Sequence, residues 1–322
     1  MKNFIISLDF ELLWGVRDSR GAEYHQQLLN VHHVIPKLLL LFEKYDVSCT
    51  WAVVGSLCST SQSHFHKLKP IAFPTYDNVN LSPYLEINET LKLDNRLLFA
   101  PDLVTSILNT SRQELASHTF CHYYCLEAGQ TLEQFKLDLH SNSKVAKSYN
   151  TFFNSLVFPR NQFNKDYLVA CADAGIICYR GNPSHWAYQA ESRETRSILN
   201  RAFRLLDCYI PLSGSLRQNV KLDLSSGMVD VPASIFFRPY SHKLRFLDSL
   251  KLWRLKWSMT RTAKKGGVFH LWWHPHNFGL NMNVNLKQIE EILKHYNFLN
   301  KKYNFKSVTM EQAAISFLED NA

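Results

Sequence analysis

No stretch of the 322 residues approaches the ~18 consecutive apolar residues of a membrane span. The N-terminus reaches a carboxylate at Asp9, too soon to hold a signal-peptide apolar core, so no export signal is visible and a cytosolic location is expected. No block of Lys and Arg with interleaved aromatics occurs, and no nucleic-acid-binding motif, which sets nucleic acid aside as a partner. Internal repeats and low-complexity tracts are absent too. A disulfide framework is not expected: the seven cysteines are odd in number, scattered and mostly in apolar surroundings, which reads as packed, reduced thiols. The spacing Cys121-x-x-x-Cys125 is that of a soft-metal pair, but no second pair of zinc-ribbon spacing exists to complete it.

What is present describes a globular protein with a sizeable core. Hydrophobic residues make up 46% and charged residues 20%, and the length suits one large domain or two ordinary ones. The formal charge of +8 favours anionic partners, such as a phosphorylated or pyrophosphate-linked substrate or an anionic membrane surface.

Strands and helices alternate along the chain. Residues 4–8 form a short apolar run that ends in Asp9-Phe10-Glu11, and helical spacing over residues 24–44 is followed by a strand over 47–54. Residues 58–100 are rich in Pro, Asn, Ser and Tyr and are expected to form a loop-rich insertion near the active-site face. A helix over 101–110 leads to a strand ending at His118. Thr131-x-x-Gln134 and Thr309-x-x-Gln312 are capping boxes that open helices. Strands over 155–158, 176–179, 228–231 and 266–274 alternate with helices over 164–174 and 242–265. On the last of these, Phe246, Leu250, Trp253 and Trp257 form a stripe that could lie on a membrane surface. Packing is the expected role, because other apolar residues surround that helix. About seven strand–helix units favour a single-domain barrel over an open sheet.

Polar groups gather at the carboxyl ends of these strands: Asp9 and Glu11, His118 and His122, Arg160, Arg180 and His274. In parallel β/α folds sites are built on that edge. His118 and His122, four apart, share a face if the chain makes a helical turn after Ser117. With one carboxylate of the Asp9/Glu11 pair they have the composition of a catalytic zinc site, and the second carboxylate is left to act as base. Two carboxylates so close repel unless a cation lies between them.

These residues resemble the polysaccharide deacetylases with a NodB-homology domain, carbohydrate esterase family 4. Ser7-Leu-Asp9-Phe-Glu11 stands where the family has its paired acids, and Glu114-Leu-Ala-Ser-His118-Thr-Phe-Cys-His122 matches its metal motif. Phe158-Pro-Arg160 stands at its arginine motif and Phe269-His-Leu-Trp-Trp-His274-Pro at its final histidine. The resemblance implies a distorted (β/α)7 barrel that removes acetyl or formyl groups from amino sugars. It implies Asp9 as general base, Glu11, His118 and His122 as ligands of one divalent ion (Zn2+ by preference), Arg160 as the partner of Asp9, and His274 as general acid. The chain departs from the family in three places. The acids are spaced rather than adjacent, so the roles of Asp9 and Glu11 could be exchanged. Asn161-Gln162 follows Arg160, and Arg180-Gly-Asn182 with Trp186 stands near the place of a missing Asp-Trp motif. The set as a whole resembles the branch found with bacterial O-antigen and surface-polysaccharide biosynthesis. A nucleotide-linked or polyprenyl-pyrophosphate-linked precursor at the inner membrane face, with peripheral membrane contact, is the implied setting.

His276 competes with His274 as the acid, though only His274 ends the strand without an intervening proline. Arg180, Glu127, Asn161, His276 and Trp186 are further candidates to contact substrate, and Gln130 stands near Glu127. His270 is expected to be structural. Two other functions fit a similar barrel: a non-catalytic carbohydrate-binding protein, and a metal-independent glycosidase using two carboxylates.

Overall fold

The first strand is buried on both faces because its alternate residues enter different cores. Phe4, Ile6, Leu8 and Phe10 join the apolar layer between sheet and helices, while Ile5 points into the barrel. The computed structural model describes residues 1–84, 94–189, 192 and 197–321. Its strands are β1 (Lys2–Phe10), β2 (Cys49–Val53), β3 (Gln113–Ser117), β4 (Ser155–Leu156), β5 (Cys178–Tyr179), β6 (Lys221–Leu222), β7 (Val229–Asp230), β8 (Ile235–Phe236), β9 (Gly267–Trp273) and β10 (Lys306–Ser307).

Their order is β6-β7-β5-β4-β3-β2-β1-β9-β8, with β10 beside the start of β1. Every pairing among them is parallel except β6 with β7. The ring closes through one bent segment. The N–H groups of Val231 and Ala233 donate to Tyr179 and Gly181 at the end of β5, while those of Ser234 and Phe237 donate to His270 and Trp272 of β9. The bend falls at Pro232, which has no N–H to give to either neighbour. β7 and β8 together thus make one stave, and with β1, β2, β3, β4, β5 and β9 complete the expected distorted (β/α)7 barrel. Three of its strands, β4, β5 and β7, span only two residues where their apolar patterns suggested four, and β8 is a strand the pattern did not announce.

The barrel interior is filled from below. Ile5, Ala52, Ala116, Val157, Cys178, Val229, Val231 and Val268 meet Met310, Ala313 and Ala314 of the last helix, Met310–Asp320, which plugs the amino-terminal end of the strands. Both predicted capping boxes are formed, at Thr131 and Thr309. The insertion carries a helix, Gln62–Leu68, whose Phe65 stacks near Trp14, Tyr84, Phe99 and Phe120. Tyr76 in the same stretch accepts a hydrogen bond (2.8 Å) from the Tyr124 N–H, just past His122. Residues 85–93 of the insertion lie outside the described residues.

The helix Asp248–Lys265 reverses one expectation. Its buried face is Lys251, Arg254, Leu255, Ser258, Met259, Thr262 and Ala263, whereas Phe246, Leu250 and Trp253 are exposed. The stripe is not core. Buried cations with partners (Arg254 on Asp207, Lys251 on Gln288 and Asp248) occupy the face that apolar residues were expected to fill. Among the described residues no helix is long and apolar enough to cross a membrane.

Candidate metal centre and catalytic site

Along β1 the residues Ile5, Ser7 and Asp9 alternate inward, and along β9 Val268, His270, Trp272 and His274 do the same. Polar groups therefore stack above the apolar plug in layers. The lower layer is a chain of hydrogen bonds. His270 Nδ1 faces the Val231 carbonyl at 3.2 Å, its Nε2 lies 2.8 Å from Ser7 Oγ, and Ser7 Oγ accepts from Arg180 Nη1 at 3.0 Å. Burial, with Arg180 nearby, holds His270 near pKa 3, so it is neutral and structural as expected.

Arg180 then clamps Asp9 through two parallel bonds, Nη1 to Oδ1 at 2.6 Å and Nη2 to Oδ2 at 2.8 Å. Burial raises the Asp9 carboxyl, but Arg180, with His118 and His274, outweighs it and leaves the group below its usual pKa. This corrects two expectations. Arg180 is buried and holds Asp9 rather than reaching substrate, and Arg160 does not touch Asp9. The reason is local backbone. Arg160 and Asn161 both adopt left-handed conformations (φ 55° and 54°), which carry Arg160 to Asp18 and Glu127 and set its guanidinium 4.0 Å from the centre of the Tyr124 ring. Asn161 is likewise recruited inward: its Oδ1 accepts from Arg180 Nη2 at 3.0 Å.

In the upper layer three ligand-type atoms converge. Glu11 Oε2 lies 3.4 Å from His118 Nε2 and 3.0 Å from His122 Nε2, and all three residues are buried. Glu11 lies just past the strand, at the start of a short helix, with Leu12 at φ 43°. Its carboxyl packs over Gly15, where an added Cβ would fall 2.0 Å from the carboxyl carbon. The histidines sit on an irregular loop rather than the expected helical turn, because Thr119 (φ 61°) and His122 (φ 60°) are left-handed. Asp138 accepts from the N–H groups of Phe120 (2.6 Å) and Cys121 (3.1 Å) and so pins that loop. Cys121 and Cys125 are buried with thiols pushed well up by burial, and they take no part in the cluster.

The donor set fits a divalent ion. His118 Nδ1 meets the Val157 carbonyl at 2.7 Å, which makes Nδ1 the protonated nitrogen and turns the Nε2 lone pair towards Glu11. That Nε2 is buried without a hydrogen-bond partner, facing a carboxylate oxygen. A lone pair set against an anion is unfavourable unless a cation lies between them. Burial depresses His122 to about pKa 4 despite Glu11, so its ring is neutral. Burial raises Glu11, but His274, His122 and His118 hold it well below its usual value, so it is ionised.

His274 Nε2 stands 3.7 Å from both Asp9 Oδ2 and Glu11 Oε1, and its Nδ1 lies 3.2 Å from Asn277 Oδ1. His276 stacks on it with ring centres 4.9 Å apart, is buried, and is lowered to about pKa 3 by burial and by His274. Trp272 and Phe236 flank His274, with ring centres 5.7 and 5.8 Å from it. Trp272 was legible from parity with His270 and His274. Asp18, Tyr124 and Asp138 carried no motif signal.

Of the remaining candidates, Glu127 is buried and takes bonds from Gln162 (2.9 Å) and Arg160 (3.3 Å). Gln130 accepts from the hydroxyls of Tyr123 and Tyr167. Trp186 is exposed and packs against His185 and Phe203, away from the cluster.

No family model and no curated protein matches the sequence. Solved structures match the fold. A Mycobacterium smegmatis protein assigned as a polysaccharide deacetylase superposes over 99% of this chain and 92% of its own, at 12% identity and TM-score 0.60. One assigned likewise from Pseudomonas aeruginosa PAO1 covers 97% and 89%, at 7% identity and TM-score 0.60. PuuE allantoinase covers 97% and 88%, at 7% identity and TM-score 0.56. At these identities the likeness establishes the fold: the chain is an α/β protein built on the distorted (β/α)7 barrel of the polysaccharide deacetylase structures.

Proposed function

We propose that this protein is a metal-dependent hydrolase that removes the N-acetyl or N-formyl group of an amino sugar in a bacterial surface-polysaccharide precursor. One observation carries the reading: Glu11 meets His118 and His122, with His118 Nε2 unpartnered, beside a carboxylate kept ionised by Arg180. A divalent ion held by these three residues, Zn2+ by ligand preference, would supply Lewis acidity for a carbonyl and a more acidic water. Asp9 takes a proton from water as its oxygen adds to the amide carbon. The Arg180 clamp keeps that carboxylate ionised and aimed, so little reorganisation is needed at the moment of reaction. His274 gives a proton to the amide nitrogen as the C–N bond breaks, leaving a free amine and a carboxylic acid. His274 suits this role better than His276 because it is 23% exposed, whereas His276 is buried and held neutral.

A glycosidase needs one carboxyl raised enough to stay protonated. Asp9 and Glu11 are both held low, which argues against that reading. The basic balance of the chain supports a substrate on an anionic carrier, nucleotide-linked or polyprenyl-pyrophosphate-linked. The test is acetate or formate release from a panel of nucleotide-linked acylamino sugars. Wild type is expected to release acid, and Asp9→Asn to lose about 10²–10⁴-fold. Release from no substrate, or bond cleavage that survives a chelator, would overturn the proposal. Equal turnover of neutral free sugars would remove the pyrophosphate-linked part alone.

A further inference from the structure

The helix Ile198–Asp207 is built the wrong way round for a surface helix. Ile198, Leu199 and Leu206 are 79%, 78% and 51% exposed, while its inward side carries the fully buried Asp207. Asp207 accepts from Tyr188, Ser213 and Arg254, and through Arg254 it ties this helix to the middle of Asp248–Lys265. The second helix is also turned outwards: Leu250 and Trp253 are exposed on it, and so is Phe246 in the 3-10 turn that leads into it. Phe246 lies in the connection from the carboxyl end of β8, so the apolar stripe starts on the edge of the barrel that carries the site.

The charge of the protein resides in the same stretch. Residues 198–265 hold 13 Lys and Arg against 4 Asp, a net of +9, so the rest of the chain carries −1 of the total +8. Of the four acids Asp207 and Asp230 are buried and Asp223 and Asp248 half-buried, whereas Arg201, Lys243, Arg245, Arg261 and Lys264 are exposed. Arg261 covers the Trp257 ring at 4.9 Å, and Trp257 stacks on Trp253.

We infer that these two helices form a docking surface for an anionic lipid bilayer. Exposed Leu, Ile, Phe and Trp on a stretch that also carries exposed cations match a membrane interface, where apolar side chains enter the acyl boundary and Arg and Lys meet lipid phosphates. A second copy is a poor occupant, because an isologous contact would press two +9 stretches together. Duplex nucleic acid offers phosphate but no apolar phase for Leu199 or Trp253. The inference does not depend on the catalytic reading.

The experiment is co-sedimentation of the full chain with phosphatidylcholine vesicles, with and without phosphatidylglycerol as about a third of the lipid. Binding is expected to the anionic vesicles only, and to weaken as salt rises. Leu199→Asp and Trp253→Asp should each lower partitioning about tenfold, while Ile71→Asp, at a residue 92% exposed elsewhere, leaves it unchanged. Circular dichroism checks that each variant folds. The inference would be overturned by no binding to anionic vesicles, equal binding to neutral ones, variants that bind like wild type, or a lipid-free dimer that Leu199→Asp dissociates. Duplex DNA binding lost in the same two variants would overturn it as well.

Discussion

A buried carboxylate can serve as a base only if something keeps it ionised, and in this protein Arg180 does so for Asp9. Removing that guanidinium lets burial win, so the Asp9 pKa rises and the basic form is lost at a higher pH as the solution is acidified. Arg180→Gln should therefore cut turnover by about 10²-fold or more and move the acid limb of the pH–rate profile upwards. Arg160→Gln should leave that limb in place, since its partners are Asp18 and Glu127. A pH profile of both variants checks the pair. The sequence offered both arginines at strand ends without saying which one reaches Asp9. That choice rests on the left-handed backbone of Arg160 and Asn161, which no residue pattern announces in non-glycine residues. Asp9 and His118 were legible because strand parity places Asp9 above Ser7 and His118 above Ala116, and His122 was legible from its four-residue spacing to His118.

At the scale of elements, the loop that bears His118 and His122 is held from outside itself. Asp138, on the helix Leu132–Ser148, takes the N–H groups of Phe120 and Cys121, and Asn142 donates to Ser117 Oγ at 2.6 Å. Asp138→Ala leaves two buried N–H groups unsatisfied and frees the loop. Metal affinity is expected to fall about 10–100-fold, measured by competition with a chromophoric chelator, with Glu11, His118 and His122 all intact. An unchanged affinity would mean the loop is rigid without that support. Helix starts at Thr131 and Thr309 could be read from capping boxes and the alternation of strands and helices from apolar runs, whereas strand order and the last-helix plug are tertiary facts seen only in the fold. The helical turn expected between the two histidines could not, since its geometry is overridden by Thr119 and His122 at positive φ. The solvent-facing stripe of Asp248–Lys265 was misread for a related reason: the tertiary ion pair of Arg254 with Asp207 and the hydrogen bond of Lys251 to Gln288, invisible to periodicity, bury that helix by its polar side.

For the whole molecule, acid stability follows from which buried groups resist protonation. His122 is held at about 4, and His270 and His276 at about 3, so on unfolding below pH ~6.5 each takes up a proton, and stability falls as pH falls. Asp138 and Asp230 are raised by burial to about 6, and Glu114 is also raised. Asp138 and Asp230 release protons on unfolding between pH ~4 and 6, and Glu114 does so above its usual range, so all three act in the opposite sense. They offset only part of the imidazole uptake, so stability falls gently from pH 7 to about 4.5. Well below pH ~3.8 the raised acids are protonated in both states, while the lowered Asp9 and Glu11 add their own uptake on unfolding. Chelator-treated protein should thus lose about 1 kcal/mol per pH unit from pH 7 to about 4.5 and about 3 kcal/mol per unit below it. A thermal midpoint that stays level down to pH ~4 would contradict this. Ring closure, like this balance, belongs to the whole: it passes through a segment bent at Pro232 that pairs with two different strands, a contact no local pattern specifies.

The central claim is that Glu11, His118 and His122 hold one divalent ion beside an ionised Asp9. Titrating Co2+ into chelator-treated protein and following its visible absorbance tests it most directly. Wild type and Asp9→Asn should each bind a single equivalent, with only wild type hydrolysing substrate, and Glu11→Gln should lose the tight site. Binding that survives Glu11→Gln unchanged, or no stoichiometric binding by wild type, would contradict the account.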